Sequence, residues 1–138
     1  MQLVLIAGDL GPKWFHIALR SLVLMARSPK HISSNAIASA LDTDSTYIRK
    51  IMARLAKGNL VSTVPGRNGG YYLMHEPEEI TVLDVYHILV QTEPVQYDSV
   101  SQTGSEHMIS MIITSAEKRF QEVLSKFTIA DLVNSIEL

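Results

Sequence analysis

The sequence predicts a mainly α-helical chain with one small β-hairpin, and three features predict it. Apolar residues recur at helical spacing in several separate stretches, one glycine-rich turn sits between two short β-prone runs, and a long helical stretch near the C-terminus is apolar on more than one face. Composition agrees with a folded domain. The chain has 138 residues, 46% of them hydrophobic, enough to bury a core in a single compact unit. It has no cysteine, which excludes disulfides, cysteine-ligated zinc, cysteine-ligated iron–sulfur clusters and thiol redox switching.

Residues 1–11 read as an N-terminal arm, and whether it is a strand, a turn of helix or a mobile segment stays open. Its apolar run Leu3-Val4-Leu5-Ile6-Ala7 lacks a basic stretch before it and is far too short to span a bilayer. No later run is long enough either, so a cytoplasmic protein without membrane contact is expected. Pro12 suits the first position of a helix over 12–26, where Trp14, Ile17, Ala18, Leu22 and Met25 form one stripe widened by Phe15, Leu19 and Val23. After the connector Arg27-Ser28-Pro29-Lys30-His31, the oxygens of Ser33-Ser34-Asn35 can cap a short helix through Ala36-Ile37-Ala38-Ser39-Ala40. Leu41-Asp42-Thr43 is a turn. Asp44-Ser45 then opens a second helix in which Ile48, Ile51, Met52 and Leu55 share one face, ending at Gly58 as a left-handed cap.

Val61-Ser62-Thr63-Val64 and Tyr71-Tyr72-Leu73-Met74 flank the turn Pro65-Gly66-Arg67-Asn68-Gly69-Gly70, which makes residues 61–74 a hairpin. Thr81 caps a further helix containing Val82, Val85, Ile88 and Leu89. A polar stretch, 91–105, reads as a flexible loop. The last long helix runs over 106–126, followed by a short terminal turn from Thr128. In that helix Met108, Ile109, Met111, Ile112 and Ile113 cover more than one face, and Ala116, Phe120, Val123, Leu124 and Phe127 continue a single stripe. So much apolar circumference calls for a partner chain, and Met108, Ile109, Met111, Ile112, Ile113, Ala116 and Phe120 are the expected homodimer contacts. The organisation is thus an arm (1–11), a winged helix-turn-helix (12–90), a loop (91–105) and a dimerisation segment (106–138).

Two helices joined by a tight turn, the second basic on its outer face and followed by a hairpin, point to DNA binding. Charge supports this. Residues 1–75 carry nine Lys/Arg against three Asp/Glu (net +6) and residues 76–138 carry three against eleven (net −8), giving the chain's −2. Thr46, Tyr47 and Lys50, beside Ser45 at the start of the second motif helix, are expected at base edges, and Arg49 at a base or a phosphate. Arg54 and Lys57 are expected at phosphates. Arg67, Asn68 and Gly69 form the hairpin tip along the DNA backbone. A second reading keeps the fold but uses it as a protein-interaction module, with Tyr71 and Tyr72 at the partner surface.

Other chemistries find little footing. The glycine-rich turn lacks the Gly-Lys-Ser/Thr ending and the following helix of a phosphate-cradling loop. His75, Glu76, His87, Glu106 and His107 have no tight metal-ligand spacing and read as ordinary histidines and carboxylates. No nucleophile–base pair stands out, so the chain is not expected to be an enzyme and no cofactor is expected.

The order of these elements resembles the Rrf family of bacterial winged-helix regulators. The likeness runs over roughly residues 12–132 and is carried by Ile37-Ala38, Tyr47-Ile48, Leu55-Ala56-Lys57-Gly58-Asn59-Leu60-Val61, Gly69-Gly70-Tyr71-Tyr72-Leu73, Glu78-Glu79-Ile80-Thr81-Val82-Leu83-Asp84-Val85 and Thr128-Ile129-Ala130-Asp131-Leu132. The resemblance implies a cytoplasmic homodimeric repressor that pairs through its long C-terminal helix and binds a near-palindromic operator through two winged motifs. A repressor of this kind is expected to sense either a small molecule between its DNA-binding and dimer parts or a partner protein. Many members hold an iron–sulfur cluster on three cysteines before the dimerisation helix. Here residues 94–107 have none, as in the cysteine-free YwnA-like branch. Members commonly carry an arginine just before the first wing glycine; this chain has Pro65 there, and Arg67 two positions on.

Overall fold

Ile48, Ile51, Met52 and Leu55 are each 0% exposed in the computed structural model, which describes residues 13–90 and 104–135. They are the inner face of α3 (Ser45–Lys57), and the helical spacing that foretold them is what puts them there. Asp44 starts this helix by accepting the Thr46 amide at 3.0 Å. α2 (Ser34–Leu41) starts the same way, with Ser33 Oγ accepting the Ala36 amide at 3.1 Å. Each such cap stabilises by ~1 kcal/mol. Between α2 and α3 the chain reverses through Asp42 in the left-handed region (φ 53°). α1 (Trp14–Arg27) lies across both helices and buries Trp14, Ile17, Ala18, Leu22 and Met25. Ser21, wholly buried in that face, donates to the Ile17 carbonyl at 2.7 Å, so its hydroxyl carries no desolvation penalty.

The hairpin pairs β1 (Val61–Val64) with β2 (Gly70–Leu73) antiparallel, Val61 opposite Leu73 and Val64 opposite Gly70. Ile32, in the connector after α1, exchanges both backbone hydrogen bonds with Tyr71 at 2.9 and 3.0 Å. The hairpin is therefore stitched to the entry of α2 rather than hanging free. This close passage explains Gly70. A Cβ there would lie 2.5 Å from the Ile32 carbonyl oxygen, and one at Gly69 would lie 1.9 Å from that of Val64. Gly70→Ala is expected to destabilise the domain by roughly 1–3 kcal/mol through backbone displacement, read as a lower urea midpoint at unchanged slope.

A 3-10 turn (Pro77–Glu79) leads to α4 (Val82–Leu89), which Thr81 and Asp84 start with reciprocal side chain–backbone bonds at 2.9 and 3.0 Å. α5 (Ser105–Leu124) is followed by α6 (Ile129–Ser135), which Thr128 and Asp131 cap in the same reciprocal manner. Backbone bonds from Val82 to Phe127 (2.9 Å) and from Ile129 to Ile80 (2.8 Å) return the chain to its own domain. Tyr86 of α4 packs edge-on against Phe120 of α5 (5.2 Å) and Phe15 of α1 (5.9 Å), tying the three helices together.

Two expectations need correction, and the arm (1–11), Pro12 and the 91–103 part of the loop lie outside the described residues. Gly58 is not left-handed: its φ is −86°, and Asn59 takes that role at φ 63°. A Cβ at 58 would sit 2.7 Å from the Ile88 side chain, so any larger residue there would have to push Ile88 aside where α3 and α4 meet. The apolar stripe of α5 does not stay on one face either. Phe120 and Leu124 pack on the core, whereas Ala116, Val123 and Phe127 are exposed. The helix approaches its own domain only near its C-terminal end, and none of its residues is fully buried.

Candidate nucleic-acid interface

The outer face of α3 exposes Thr46, Arg49, Lys50 and Lys57 together, with Ser45 half-buried at its start. Arg49 is held rather than loose. Its guanidinium donates to Thr46 Oγ1 at 3.1 Å and reaches Ser34 Oγ at 3.5 Å, bridging the starts of α2 and α3. A planar fork fixed at its base loses less freedom when it meets a guanine edge or a phosphate. Tyr47 is half-buried against the core, and that burial raises its hydroxyl above the usual tyrosine pKa. It is thus a neutral hydrogen-bonding group at physiological pH.

Opposite the start of α2, the wing forms a second wall. Between them lies a cleft of about 330 Å³ lined by Ser33, Ser34 and Asn35 on one side and by Thr63 to Arg67 on the other. A helix start, with backbone amides and hydroxyls facing such a cleft, favours phosphate oxygens. The sequence reading used these three residues only as caps. Their place in the cleft depends on the hairpin folding over them, a contact that no local pattern announces.

The wing tip is docked. His31 Nε2 donates to the Asn68 carbonyl at 2.7 Å; since a carbonyl only accepts, the ring carries its proton on that nitrogen. Arg67 and the Asn68 side chain remain exposed beside it. Gly69 donates its amide to the Gly66 carbonyl at 3.1 Å, closing the turn. Arg54 has a partner within the fold. It is half-buried, and its guanidinium reaches the Leu89 carbonyl at 3.5 Å, at the end of α4. There it satisfies a terminal carbonyl and complements the helix dipole. His31→Ala is expected to weaken DNA binding about 2- to 10-fold, the worth of one hydrogen bond. Amide exchange should quicken at residues 68–70, and His31→Gln should recover part of the loss.

The expected pairing residues stand apart from this face. Met108, Ile109, Met111, Ile112 and Ile113 on α5 are 42–64% exposed in the single chain, and Ala116 is exposed below them. Phe120 instead serves the chain's own core through Tyr86. Among the histidines, His75 donates to the Asn59 carbonyl at 3.0 Å with Glu79 3.9 Å away, and His87 donates to Gln121 Oε1 at 3.2 Å.

The family model of the iron-dependent transcriptional regulators called Rrf2 matches residues 13–135. The chain belongs to the Rrf2 family. As an Rrf2 protein it is a DNA-binding transcriptional regulator with a winged helix, and not an enzyme. It is 30% identical to the HTH-type transcriptional regulator NsrR of Shouchella clausii over 127 residues, 84% of this chain and 83% of that protein. Its structure is similar to T. potens IscR, with a TM-score of 0.71 at 25% identity over 89% of this chain and 85% of the other. CymR, the global cysteine regulator of B. subtilis, shares the fold with a TM-score of 0.65 at 24% identity, over 88% of this chain and 94% of that one. The family description invokes iron, yet the chain offers no thiolate for a cluster. Among the described residues no group of three His, Asp or Glu side chains is placed to hold a metal ion, and a cysteine-ligated cluster does not fit a chain without cysteine. No described helix is long and apolar enough to cross a membrane.

Proposed function

We propose that this Rrf2 protein is a cytoplasmic homodimeric repressor that binds a near-palindromic operator and works without a cysteine-ligated cluster. The observation that carries the reading is the exposed basic face of α3, with Arg49 anchored on Ser34 and Thr46 and the wing docked beside it by His31. α3 enters the major groove, Thr46, Tyr47, Arg49 and Lys50 meet base edges, and Lys57 and Arg67 meet phosphates. Pairing rests on the five large apolar side chains uncovered on α5. Each is about half exposed, so covering the remainder against a second copy would contribute roughly 1 kcal/mol or more apiece, set against the cost of association.

Titrating the protein into fluorescent promoter DNA from its own locus tests this, followed by selection of bound sites from random duplexes. A dimer should bind saturably, and the selected half-sites should lie about one helical turn apart, or a multiple of it. Binding indifferent to sequence at moderate salt would overturn the reading in favour of a protein-interaction module.

A further inference from the structure

A second concave site lies on the far side of the first motif helix. α1, α2 and α6 enclose a cleft of about 400 Å³, within the roughly 300–1,000 Å³ typical of small-molecule sites. Its floor is apolar: Leu19, Val23 and Leu24 of α1 face Leu41 of α2 and Leu132 of α6. Along one wall, α1 adds Arg20 and Arg27, with His16 one turn before Arg20. Both arginines are exposed, and neither has an ion-pair partner among the described residues. An apolar floor under permanently charged guanidinium groups suits one ligand chemistry, an anionic head on a hydrocarbon body.

We infer that this cleft binds an amphipathic organic anion, a small aliphatic or aromatic carboxylate, and that its occupancy alters DNA binding. The second part rests on the DNA-binding reading above. The lining helices explain the coupling. Leu41 ends α2 directly before the turn at Asp42 that sets α3, while α6 follows α5 and is pinned to the core by the Ile129–Ile80 backbone bond. A ligand seated here touches the first reading helix and the end of the pairing segment at once. Differential contact with two arrangements of those helices is what an effector needs.

The test uses octanoate and 1-naphthoate as probes, with their uncharged primary amides as controls, titrated calorimetrically into the full chain. At least one anion should bind saturably at one site per chain, with its amide ~10-fold weaker or worse. The exposed pair Arg20→Ala/Arg27→Ala should weaken it by a similar factor, and Ala40→Trp should plug the cleft from the α2 side and abolish it. Affinity for the selected duplex is measured with and without saturating probe and should change at least ~3-fold. Absence of saturable binding by both anions, or binding unchanged in the double variant, overturns the site. Saturable binding that leaves duplex affinity unmoved overturns the regulatory link. Probe-free protein that ignores the duplex instead indicts the DNA-binding reading, so the two failures are distinguishable.

Discussion

Arg49→Ala is expected to weaken binding to the selected duplex by about 5- to 150-fold, equivalent to ~1–3 kcal/mol. The magnitude comes from geometry. The wild-type guanidinium is already supported by Thr46 at 3.1 Å and Ser34 at 3.5 Å, so alanine removes a prearranged bidentate donor as well as a charge. Arg49→Lys separates the two contributions, because an ammonium keeps the charge but cannot reproduce the planar fork. If Arg49 reads a base, lysine recovers little, and discrimination at one operator position relaxes. If it only neutralises a phosphate, lysine recovers most of the affinity, and alanine lowers the salt slope by about one. Fluorescence anisotropy at several salt concentrations resolves the two. An alanine variant that binds as tightly as wild type would remove α3 from the interface.

Ile112→Asp should have a comparably large effect at the other end of the molecule. Ile112 is 57% exposed in the single chain and flanked by Ile109, Met111 and Ile113, so it costs the isolated fold almost nothing. In the proposed dimer the same position is buried, where an unpaired carboxylate costs several kcal/mol. The dimer dissociation constant should rise at least ~100-fold, with the melting temperature of the monomeric unit little changed. Sedimentation equilibrium reads the first, and circular dichroism reads the second. Operator affinity should fall with dimerisation, because separate monomers lose the effective concentration that links two half-sites. A variant that stays dimeric would place the pairing surface elsewhere.

Much of this architecture was legible from local pattern. Ile48, Ile51, Met52 and Leu55 announce the inner face of α3 because helical geometry repeats over a few residues, and all four are fully buried. Ser33, Asp44 and Thr81 announce helix starts because a cap acts within three residues of itself. The exposed apolar residues of α5 were visible too, since Met108, Ile109, Met111, Ile112 and Ile113 cover more of the helix circumference than one inward face needs. What escaped were features governed by distant partners. Arg54 looks like any basic residue on an outer face until the end of α4, 35 residues later, comes within reach. Gly58 looks like a left-handed stop until Ile88 occupies the space its missing side chain leaves.

Side-chain periodicity and capping chemistry therefore specified which segments are helical, where they start and which faces point inward, because those properties depend on neighbours a few residues away. Tertiary packing alone decided how the outer-face groups are placed relative to the wing. His31 reaches Asn68 across 37 positions, and Ile32 clamps Tyr71; these contacts bring the wing over the start of α2. Such pairings depend on how whole elements close on one another, and their distance in the chain leaves no mark in its local order.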